Sequence, residues 1–80
     1  MEELYKKIES AIDTHPGLVR VGEPSFVLSR TGAIAQCPVV ALPRDKRRRP
    51  HTISSYAETP EEAATELVAS LDAWSAVLKR

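Results

Sequence analysis

Cys37, His15 and His51 are the only cysteine and histidines in the chain. They bound the metal and nucleophile chemistry open to it. A structural zinc site takes four ligands at short local spacings, and no pair of these three residues has such a spacing. Carboxylates could complete a set, but none is spaced to do so. A Cys-His nucleophile pair would form only if the fold brought Cys37 beside His51. The three glycines build no phosphate-cradling loop, dinucleotide fingerprint or nucleophile elbow. No catalytic residue, metal or cofactor is therefore assigned, and the chain is read as a non-enzyme. Cys37 has three readings: a small apolar core residue, a disulfide partner for a second copy, which makes it a dimer candidate, or a functional thiol.

The strongest signal is electrostatic. Lys+Arg and Asp+Glu are balanced at 11 each. Yet Arg44, Lys46, Arg47, Arg48 and Arg49 fall in one run, offset only by Asp45 and bounded by Pro43 and Pro50. A positive segment in a neutral chain is a handle for anions. Arginine dominates it, and the guanidinium fork suits bidentate contact with carboxylate or phosphate. These five residues and the adjacent His51 are the candidate partner-binding set, against the plainer reading of a solvated polar loop. Glu58, Glu61, Glu62 and Glu66 form a secondary acidic patch. Capping and dipole compensation account for Glu61 and Glu62, whereas Glu58 and Glu66 are not needed for that. A chain with basic and acidic ends suits oriented docking on another protein or on itself.

Eighty residues make a single domain spanning 1–80, and a core of that size is marginal alone. A homodimer is therefore expected, with an exposed edge around Cys37-Pro38 as its contact. The single cysteine fits a reducing compartment. The N-terminus lacks a signal-peptide core, and no apolar run approaches the ~20 residues that span a bilayer. The expected location is cytoplasmic, with no membrane partner.

Leu4, Ile8, Ala11 and Ile12 share one stripe at helical spacing, so a helix is predicted over Glu2–Thr14, ended by His15-Pro16-Gly17. Leu18–Val21, Ser25–Arg30, Ala33–Leu42 and His51–Tyr56 read as strands. Phe26 and Leu28 share one face of the second, and Thr31-Gly32 turns into the third. Pro38 cannot donate a ladder hydrogen bond, which predicts an edge or a bulge at Cys37-Pro38. Thr59-Pro60-Glu61-Glu62 is a capping-box helix start. Ala64, Leu67, Val68, Leu71, Trp74 and Leu78 then form one core-facing stripe, and Lys79-Arg80 suit the C-terminal dipole. The fold class is α+β: an antiparallel three- to four-stranded sheet with an N-terminal and a C-terminal helix on one face.

This α-β-β-β-α order resembles that of double-stranded-RNA-binding domains, in which basic residues at the start of the last helix grip phosphates. Here that stretch is Thr59–Ala64, which is acidic and would repel them. The first helix is also followed by an extra strand segment. Ala57–Ala63 resembles the strand-to-helix junction of HicB-type antitoxins. The format, a very short α/β chain with polarised charge and no catalytic set, resembles phage-encoded inhibitors of the anti-CRISPR type. That resemblance implies a protein that binds and blocks a nucleic-acid-handling protein or ribonucleoprotein complex. Direct nucleic-acid binding is the alternative, followed by an antitoxin or regulator that pairs with a toxin.

Overall fold

The computed structural model describes residues 2–41 and 49–78. Helix α1 spans Glu2–Asp13. Strands β1 (Leu18–Arg20), β2 (Ser25–Leu28), β3 (Ala33–Ala41) and β4 (His51–Ala57) follow, then α2 (Pro60–Ala69) and α3 (Leu71–Leu78). The chain is an α+β protein with helices at both ends of an antiparallel four-stranded sheet.

The sheet is built around β3. Leu18–Arg20 of β1 pair with Ala41–Val39, and Ser25–Leu28 of β2 pair with Gln36–Ala33. On the opposite side, His51–Ala57 of β4 pair with Val39–Ala33. Strands β1 and β2 therefore lie end to end in one row, and four strands fill three positions. Residues 21–24 form the break between them and lie opposite Cys37 and Pro38 alone, a bulge in the outer row.

This arrangement corrects the expected edge at Cys37-Pro38. Strand β3 is central, and the bulge lies in its neighbour. The Val21 N–H donates to the Pro38 carbonyl at 3.1 Å, so Pro38 turns its backbone polar side toward the β1–β2 row. Its missing N–H thus falls at the break, where no regular ladder bond is lost, and the pairing with β4 is untouched.

Alternation along β3 sends Ala33, Ala35, Cys37, Val39 and Ala41 to the helix side, where each is buried. They pack with Leu18, Ile53 and Ala57 against Ile8 and Ile12 of α1, Ala63, Ala64 and Leu67 of α2, and Leu71 of α3. Small residues along β3 let the helices approach closely. Phe26 joins this layer and meets Tyr5 edge-on, with ring centroids 5.3 Å apart. Leu28 points the same way but is exposed beyond the helices.

The β2–β3 turn closes through the Ser29 N–H, which donates to the Gly32 carbonyl at 2.9 Å, and the Tyr56 hydroxyl, which donates to the Thr31 carbonyl at 2.7 Å. A Cβ on Gly32 would stand 2.4 Å from the Ala57 carbonyl oxygen, so this contact needs glycine.

The predicted single C-terminal helix is two. Thr59 caps α2 as expected, its hydroxyl accepting from the Glu62 N–H at 3.2 Å. At Ser70 the hydroxyl donates to the Leu67 carbonyl at 3.0 Å and takes an acceptor from the helix ladder. Such back-bonding bends helices, and α3 restarts at Leu71. The apolar stripe continues across the bend, with Val68, Trp74 and Leu78 half-buried against the core. Lys79 and Arg80 lie outside the described residues.

Candidate functional site

With the helices on one face, the other face of the sheet is left to the alternate residues. From the β1–β2 row these are Val19, Val21, Ser25 and Val27. From β3 they are the half-buried Ile34, Gln36 and Pro38 and the buried Val40, and from β4 Thr52, Ser54 and Tyr56. Val21 is 41% exposed, Val27 48% and Tyr56 54%. None of these strand positions is charged, although 28% of the chain's residues are. Solvent-facing sheet positions in small proteins ordinarily carry charge, so an uncharged, largely aliphatic face is a candidate docking surface. Its polar groups are ordered: the Gln36 side-chain amide donates to the Ser25 hydroxyl at 3.1 Å.

Two members of the basic set meet this surface at one end. Arg49 and His51 are exposed at the start of β4. Arg44, Lys46, Arg47 and Arg48 lie outside the described residues. The acidic set lies at the other end of the same strand. Glu58, Glu61, Glu62 and Glu66 are all exposed, and Glu66 accepts a 3.4 Å bond from the Ser55 hydroxyl. Glu61 and Glu62 share an open cleft with Glu2 and Glu3 of α1. Sequence reading missed this convergence of two acidic helix starts, because it depends on α1 packing beside α2.

The structure separates the remaining candidates. Cys37 has no accessible surface, so in this fold its thiol cannot reach a second copy, and the dimer-disulfide reading is withdrawn. Burial pushes its pKa up to about 11. Its Sγ lies 3.8 Å from the carbonyl oxygens of Gly22 and Pro38. His51 is a diagonal neighbour across the β3–β4 ladder, but it is exposed and makes no bond to the thiol among the described residues.

His15 fastens the α1–β1 turn to α3. Its Nδ1 accepts from the Gly17 N–H at 2.9 Å, so its Nε2 carries the hydrogen and donates to Asp72 at 2.6 Å. Both ring nitrogens are engaged, and the buried Ser75 nearby gains no base from this pair. Arg20 fastens the C-terminal end of α1 to the β1–β2 break. It binds Asp13 at 3.3 Å and the Gly22 carbonyl at 3.1 Å, and the hydrogen bond to Asp13 raises its pKa.

Among the described residues no helix is long and apolar enough to cross a membrane, and no three His, Cys, Asp or Glu side chains cluster as metal ligands. No family model, curated protein or solved structure matches the chain.

Proposed function

We propose that the protein is a non-enzymatic interaction domain that docks on a nucleic-acid-handling protein or ribonucleoprotein complex and blocks it. The supporting observation is the uncharged open face of the sheet, bordered at one end by Arg49 and His51. Protein interfaces combine a core depleted of charge with a polar rim enriched in arginine. This surface has that composition, with Arg49 at its rim. The partner's matching patch would be apolar and flanked by carboxylates or by phosphates of bound nucleic acid. By format this is the mode of small phage-encoded inhibitors, acting in the host cytoplasm.

Direct nucleic-acid binding is the rival. The collinear β1 and β2 bring the fold nearer to the three-row sheet of double-stranded-RNA-binding domains than the sequence alone suggests. Against it stand the acidic start of α2 and the lack of charge on the open face. The test is a titration of generic duplex DNA and RNA at physiological salt. No binding is expected. Binding whose log–log salt slope lies near about −4, the mark of roughly four phosphate contacts, would replace the proposal with its rival.

A further inference from the structure

The two edges of the sheet are built differently. The β1–β2 edge is interrupted by Gly22, Glu23 and Pro24 and carries Arg20, all devices that discourage strand addition. The β4 edge, His51–Ala57, contains no Lys, Arg, Asp, Glu, Pro or Gly, and its outer side pairs with nothing among the described residues.

Which of its backbone groups face outward follows from the ladder. The bonds Val21 N–H to Pro38 carbonyl and Ser29 N–H to Gly32 carbonyl show that even-numbered residues of β3 address the β1–β2 row. Odd-numbered ones therefore address β4 and pair with His51, Ile53, Ser55 and Ala57. The outward N–H and C=O groups are those of Thr52, Ser54 and Tyr56.

We infer that this edge pairs with the same edge of a second copy, antiparallel, about a two-fold axis through Ser54. That register uses every outward group: Thr52 meets Tyr56 of the second copy, Ser54 meets Ser54, and Tyr56 meets Thr52. On the open face it sets threonine against tyrosine, a favourable cross-strand pair. Charge selects a second copy as the occupant. Arg49 precedes the strand and Glu58 follows it, both exposed. The antiparallel register brings the Arg49 end of each copy to the Glu58 end of the other, twice by symmetry, with Glu58 opposite the second copy's Pro50 and Arg49 one position further along. The result is one continuous sheet whose uncharged faces adjoin. The inference stands apart from the proposed function, which a monomer could also perform.

The test is sedimentation equilibrium from about 1 µM to about 1 mM, with thermal unfolding as a fold control. The wild type is expected to show a reversible monomer–dimer equilibrium insensitive to reductant. Ser54→Pro removes only an outward N–H, a change that edge strands accept, and should give a folded monomer. Arg49→Glu and Glu58→Arg should each weaken dimerisation about tenfold, and the double exchange should restore it. The exchange carries the test if Ser54→Pro fails to fold. A monomeric wild type across the range, a folded Ser54→Pro that dimerises like wild type, or no restoration in the double exchange would overturn the inference.

Discussion

Close contact at single residues explains several positions that motif reading passes over. A Cβ on Gly17 would stand 2.1 Å from the Ser75 Oγ and 3.3 Å from a carbon of the His15 ring. Gly17→Ala should therefore cost about 1–3 kcal/mol by overpacking. Most of the loss should return in Gly17→Ala/Ser75→Ala, which removes the blocking oxygen. Chemical denaturation of the four variants measures this coupling, and additive losses would refute the clash. Cys37 gives a pH signature. Its folded pKa of about 11 lies above the ordinary 9.0, so the contribution is complete below pH 9 and fades as pH rises toward 11. The loss should be on the order of 2–3 kcal/mol. It is read as the wild-type alkaline decline minus that of Cys37→Ala, and equal declines would show that burial does not raise the thiol's pKa.

At the scale of elements, what was legible was local. The stripe of Leu4, Ile8, Ala11 and Ile12 and the start at Thr59-Pro60 located α1 and the beginning of α2 to within a residue. What misled was long-range. Pro38 reads as an edge residue until the break at Gly22–Pro24 is known to lie opposite it, and pairing across the sheet leaves no trace at neighbouring positions. The bend at Ser70 was hidden because the stripe runs through it and serine is common in helices. Leu67 has no accessible surface, and Leu67→Ala should lower stability by about 2–5 kcal/mol in equilibrium unfolding. Trp74→Ala should cost less than full burial would imply, since the ring is only half-buried. A larger loss at Trp74 than at Leu67 would mean that the core is centred on α3.

For the whole molecule, the basic run and the acidic helix start were visible as charge, but the placement of Arg49 and Glu58 at opposite ends of β4 was not. The uncharged sheet face was present in the sequence as alternation, in Val19 and Val21, Val27, and Ile34 and Gln36. Alternation does not say which face the helices cover, so core and docking surface were indistinguishable until α1 and α2 were seen on the side of Ala35 and Cys37. The central claim is that this face and the arginine run of the sequence together hold a protein partner. The most direct measurement is quantitative co-purification from nuclease-treated lysate of the native host. The baits are wild type, Val27→Glu, and Arg47→Ala/Arg48→Ala/Arg49→Ala, each checked for unchanged thermal unfolding. The account predicts that wild type enriches one nucleic-acid-handling protein or complex, and that each variant weakens its capture at least about tenfold, as expected when a charge enters an apolar contact or a desolvated charge pair is lost. Equal capture by all three baits, or capture that vanishes on nuclease treatment alone, would contradict it.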